Sequence, residues 1–135
     1  MLVRRFPRAV ASLPALVAFV REFFTAQGLD SERVFDVDLV IEELFTNMVR
    51  HARGGGDAIE LALDHDAGLL TVRLRDEDVD PWDPSSAPPP DFEKPTHQRR
   101  AGGLGIFLVH KLSRDVRFEH ADRTTTVTAR LEVAR

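Results

Sequence analysis

Val34, Val37, Ile41, Leu44, Phe45, Met48 and Ala52 recur at three- and four-residue spacing, which is the period of an α-helix with one buried face. An earlier helix is predicted from Ser12 and Pro14, where proline suits a first turn, to about Gln27, with Gly28 as its left-handed stop. Asp30 or Ser31 then caps the second helix, which ends before Gly54, Gly55 and Gly56. Leu2 to Phe6 forms a short leading strand. From Ala58 the period changes to two: Ile59, Leu61 and Leu63 alternate with polar or small residues, as do Leu70, Val72 and Leu74, with a turn at His65–Gly68. Residues 77–101 are polar and rich in proline, too long for an ordinary connection, and are expected to form a functional loop or lid. A third helix is predicted over Gly103–Ser113, then strands at Val116–His120 and Thr124–Val133. Strands with one apolar face, and helices grouped apart from them, predict an α+β two-layer sandwich whose mixed or antiparallel sheet is covered by helices on one face.

The chain's 135 residues fit a single domain spanning 1–135. With 22 acidic and 18 basic residues the net charge is −4, the wrong sign for a dedicated nucleic-acid binder, and the basic residues form no long run. Cysteine is absent, which excludes disulfides and cysteine-ligated metals. Arg4, Arg5 and Arg8 precede an apolar stretch from Ala9 to Val20 as in a signal peptide, yet the pattern continues amphipathically through Arg21 and Glu22 to Phe24, with no small-residue cleavage site. No run reaches the roughly 20 apolar residues of a membrane span. The expected setting is the cytoplasm.

Against this frame, Glu43, Asn47 and His51 stand one above another on the second helix, along the edge of its apolar stripe. A carboxylate and a carboxamide placed there suit a metal, a phosphate tail or a water. Asp76 ends the strand LTVRLR, where a carboxylate either accepts from an exocyclic amino group or begins a turn. The acidic cluster from Asp76 to Asp83 lacks the glycine and closing glutamate of a calcium-binding EF-hand loop. Gly102, Gly103 and Gly105 open the third helix, whose free N–H groups and dipole attract an anion. That turn lacks GK[ST], so it is no Walker A loop, and it follows a long loop where a Rossmann motif would follow a strand.

Taken in order, an E-x-x-x-N-x-x-x-H-A helix, a strand ending in an acidic residue with P-W-D-P soon after, a proline-rich lid and G-G-L-G-I-F-L-V resemble the histidine-kinase-like ATPase superfamily. This group, with its Bergerat nucleotide fold, includes DNA gyrase, Hsp90 chaperones and histidine kinases. Within it, E-E-L-x-T-N-x-x-x-H-A and G-G-L-G-I-F-L-V look like the anti-sigma-factor serine kinases. The resemblance implies an ATP-binding serine/threonine protein kinase that phosphorylates a small antagonist protein and regulates a sigma factor or related partner. It assigns Glu43 as the general base, Asn47 as the Mg2+ ligand, Asp76 as acceptor of the adenine amino group, and Gly102, Gly103 and Gly105 as the phosphate cradle. It places Thr124 or Thr125 near adenine, leaves His51 to touch phosphate or to pack, and implies a homodimer.

The resemblance departs at one place. The family's adenine loop reads D-x-G-x-P-F, whereas here it runs Asp76-Glu77-Asp78-Val79-Asp80-Pro81-Trp82 with no glycine. Matched by strand phase, Asp78 takes the glycine position; counted back from Trp82, Glu77 replaces the aspartate and Val79 the glycine. The altered loop motivates an alternative function, a non-catalytic partner-switching module with weak or lost nucleotide binding.

Overall fold

In a computed structural model, which describes residues 1–81 and 103–135, the chain runs β1 (Leu2–Pro7), α1 (Leu13–Gln27), α2 (Val34–His51), β2 (Ala58–Asp66), β3 (Leu69–Glu77), α3 (Gly103–Leu112), β4 (Asp115–Ala121) and β5 (Thr124–Glu132). The strands form one five-stranded sheet in the order β1-β2-β3-β5-β4, with every neighbouring pair antiparallel. Both hairpins turn through two consecutive left-handed residues, Ala67–Gly68 and Asp122–Arg123, the twist that two-residue connections require. β2 and β3 run past their apolar alternation into Asp66 and Glu77, because ladder hydrogen bonds come from the backbone and persist where side chains turn polar.

The period-two residues form the inner face of the sheet. Phe6, Ile59, Leu61, Leu63, Leu70, Val72, Leu74, Val127, Ala129 and Leu131 are buried there. Leu16, Phe19 and Phe23 of α1, Val37, Ile41, Leu44 and Phe45 of α2, and Ile106 and Val109 of α3 pack onto them in one core. Phe6 meets Phe19 edge to face, with ring centres 5.5 Å apart. The opposite sheet face carries Arg73, Arg75, Thr124, Thr126 and Thr128 and, among the described residues, no helix. The expected two-layer α+β sandwich is the observed fold, with an antiparallel sheet.

The helix ends follow local chemistry. Gly28, at φ 63°, donates its N–H to the Phe24 and Thr25 carbonyls and ends α1. The Asp30 carboxylate accepts from the Glu32 N–H and caps a 3-10 turn, Ser31–Arg33, that leads into α2. Ser12 occupies the α1 cap position, yet its hydroxyl donates back to the Pro7 carbonyl at 2.7 Å and makes no cap bond. It fastens the end of β1 to the start of α1. Arg21 of α1 forks onto Asp38 of α2 at 2.7 and 3.0 Å, locking the two helices side by side. One end of the sheet consequently gathers the last turns of α2, the end of β3 and the start of α3.

Candidate nucleotide site

The row on α2 divides by burial. Glu43 is half-buried, Asn47 is 5% exposed and His51 lies exposed in the last turn, outside the core. Burial raises the Glu43 pKa, the neighbouring Glu42 charge raises it further, and Arg50 opposes both. The Asn47 Nδ2 is buried without a hydrogen-bond partner among the described residues. A buried amide left unpaired costs about 1–3 kcal/mol, so its place in the fold points to a ligand that completes it.

α3 enters against this row. A Cβ at Gly105 would fall on the Glu43 carboxylate, 2.7 Å from its Cδ, so glycine is what lets the helix start pass over the carboxylate. Gly103 is the first residue of α3, and Gly102 lies outside the described residues, as does the expected lid beyond Pro81.

Asp76 is fully buried at the end of β3, opposite Thr125 of β5, itself 5% exposed. One carboxylate oxygen, Oδ1, receives the Arg8 guanidinium; Oδ2 is buried with no partner among the described residues. Arg8 also donates to the Gly56 carbonyl at 3.0 Å and the Met48 carbonyl at 3.3 Å, and desolvation lowers its pKa. Gly55, at φ 103°, lies so close that any Cβ there would overlap the guanidinium. The register also separates the two candidate threonines. Thr124 stands opposite Glu77 on the outer face, so the threonine beside the buried carboxylate is Thr125.

The loop after Asp76 follows the strand-phase match. Glu77 is exposed, which leaves Asp76 as the buried acid, and Asp78 adopts φ 59°, the left-handed backbone that a glycine would supply. Aspartate tolerates this region better than most side chains. Its carboxylate is turned away from Asp76 to meet Arg123 at 3.0 Å, and Arg123 also holds Asp80 at 2.9 Å. The Gly55 N–H donates to the Asp78 carbonyl, the Val79 N–H to the Arg123 carbonyl, and His120 Nε2 lies 3.0 Å from the Val79 carbonyl. The loop is thereby clamped between the turn after α2 and the β4–β5 hairpin.

Asp78→Gly is expected to leave the urea midpoint close to that of wild type, since relief of left-handed strain offsets the loss of an exposed ion pair. Asp78→Val raises the strain, because a β-branched side chain tolerates the left-handed region worse than aspartate, and also loses the pair, so its urea midpoint should fall below that of Asp78→Gly.

Sequence reading singled out Glu43, Asn47, Asp76 and Gly105 as candidates, and it singled out neither Arg8 nor Arg123. A basic residue just past a strand end, and another in a two-residue turn, carry no spacing that ties them to a site. A separate cavity of about 420 Å³ opens beside Asp30, Arg33, Leu69, Arg114 and Glu132, and it contains none of these residues. Among the described residues no three His, Asp or Glu side chains stand close enough together to hold a metal ion, and no helix is long and apolar enough to cross a membrane.

The family model for the histidine kinase-like ATPase domain matches residues 6–131. A curated relative, serine-protein kinase RsbW of Listeria monocytogenes, is 26% identical over 113 residues, covering 74% of this chain and 67% of the relative. Among solved structures, the RsbU and RsbW domains of Rv1364c from Mycobacterium tuberculosis superpose with a TM-score of 0.64 at 18% identity, over 100% of this chain and 33% of that one. The chain thus spans a third of that protein's length. The SiaB–SiaC complex of Pseudomonas aeruginosa gives a TM-score of 0.58 at 17% identity, over 98% of this chain and 89% of that one. These two likenesses establish the shared fold.

Proposed function

The chain belongs to the histidine kinase-like ATPase domain family, and we propose that it is an ATP-dependent serine/threonine protein kinase of the anti-sigma-factor type. The observation that carries this reading is the pairing of Glu43, a carboxylate of raised pKa lying against the glycine entrance of α3, with the unpartnered Asn47 amide one turn further on. The name of the Listeria relative, a serine-protein kinase, supports the same activity.

In this reading Asp76 Oδ2 accepts the 6-amino group of adenine, Thr125 lines the base, and the N–H groups around Gly102, Gly103 and Gly105 receive the phosphates. Asn47 would hold a phosphate-borne Mg2+ through its carbonyl oxygen, Oδ1, and its buried Nδ2 would donate to an acceptor on the nucleotide. The ion supplies charge neutralisation on the phosphates. Glu43 takes the proton of an incoming serine hydroxyl. The serine oxygen bonds to the γ-phosphorus as the bridge to the β-phosphate breaks, and ADP leaves.

The protein substrate is a small antagonist, and the regulated partner is a sigma factor or an equivalent protein, bound by a homodimer in the cytoplasm without direct contact to nucleic acid or membrane. Incubation with γ-labelled Mg-ATP and the antagonist encoded nearest its gene should place label on an antagonist serine. No label, together with no heat on titration with millimolar Mg-ATP, overturns the kinase reading in favour of the non-catalytic module.

A further inference from the structure

Asp76 has no solvent exposure, and Arg8 is its ion-pair partner among the described residues. The guanidinium is not free to swing away. It is bonded to the carbonyls of Met48 on α2 and Gly56 in the following turn, its own backbone N–H donates to the Asp57 carbonyl, and it fills the space that Gly55 leaves by lacking a side chain. A buried carboxylate without a cation takes up a proton, because the isolated charge is too costly to desolvate. Here the fixed guanidinium pairs the charge at Oδ1, and the remaining carboxylate oxygen, Oδ2, has no partner among the described residues and is left to accept.

We propose that Arg8 is a specificity-determining residue, which keeps the buried Asp76 a pure hydrogen-bond acceptor and so makes the site select a 6-amino purine over a 6-keto purine. This rests on the nucleotide-binding reading above and extends it to a residue outside the motifs. An adenine amino group donates to Oδ2. The keto oxygen of hypoxanthine sets one acceptor against another at Oδ2, leaving that buried oxygen without a donor while Oδ1 stays paired with Arg8. A protonated Asp76 would both donate and accept, and would satisfy either base.

The test is calorimetric titration of the full chain with Mg-ADP and with Mg-IDP, whose bases differ at this position in the groups that face Asp76. The wild-type protein should prefer ADP by roughly thirtyfold or more, the penalty of an unpaired buried charged group. Arg8→Met should bring the two affinities within about threefold, chiefly by strengthening IDP relative to ADP, and Arg8→Lys should restore a preference of at least about tenfold. Circular dichroism checks folding; if Arg8→Met does not fold, Arg8→Gln takes its place with the same ratio read.

Equal weakening of both nucleotides, with the ratio retained, would mean that Arg8 only braces the fold and would overturn the proposal. Tighter binding of both with the ratio retained would make Arg8 an obstruction and overturn it as well. A wild-type protein that binds neither nucleotide removes the nucleotide reading itself, which a bound but Arg8-independent preference does not.

Discussion

Replacing Glu43 with alanine is expected to lower the rate of γ-phosphate transfer by about 10²- to 10⁴-fold, the range for loss of a positioned general base, while Mg-ADP affinity changes by no more than about twofold. The separation follows from position. Glu43 stands at the glycine entrance of α3, whereas the groups that the proposed reading gives to the adenine base and the metal are Asp76 and Asn47, both buried. A variant that transfers phosphate normally sinks the base assignment.

The pH behaviour sharpens the same test. Burial, then the Glu42 charge, hold the Glu43 pKa above its ordinary value, so the ionised base accumulates only as pH rises through that higher value, and kcat should rise along that limb. The stability sign is the reverse. A carboxyl whose folded-state pKa lies above its unfolded one favours the fold while protonated, and that contribution is lost as pH rises through the folded pKa. Glu43→Gln should therefore be inactive yet no less stable than wild type at neutral pH, with a slightly higher urea midpoint. A lower midpoint would show the carboxylate to be structurally favourable there.

The elements that sequence pattern made legible are those whose cause is local. Period two over Ile59–Leu63 and Leu70–Leu74 fixes which strand face is buried, and strand phase carried to the end of β3 identifies Asp76 as the inward acid. The same phase puts the glycine-like backbone at Asp78, where φ is 59°. Long-range partners were not legible. Arg8 reaches Asp76 across 68 positions and Arg123 reaches Asp78 across 45, and a salt bridge leaves no periodic trace in either segment. Thr124 and Thr125 are equally threonine, and only the β3–β5 register decides which one lies beside Asp76. Ser12 marks the start of α1 as expected, and only the structure shows that its hydroxyl bonds the Pro7 carbonyl and not the helix end.

Gly105→Ala should lower phosphate transfer by about 10²-fold while leaving the protein folded, because its damage is confined to the placement of Glu43. Alanine is the better helix former by roughly 1 kcal/mol, so the α3 backbone has no reason to resist it. What the new Cβ meets is the far end of the Glu43 side chain, which can rotate aside at little cost to the fold but not without moving its oxygens from the reacting centre. A carboxylate displaced by an ångström or more loses most of its value as a base. The decisive measurement is a double-mutant cycle on transfer rate. With Glu43→Ala already present the space beside residue 105 is open, so adding Gly105→Ala should slow the reaction by less than about threefold. If the second substitution still costs its full factor, Gly105 acts through the phosphates and independently of Glu43. Near-complete loss of additivity would mean that the glycine of α3 serves to leave room for the base beneath it.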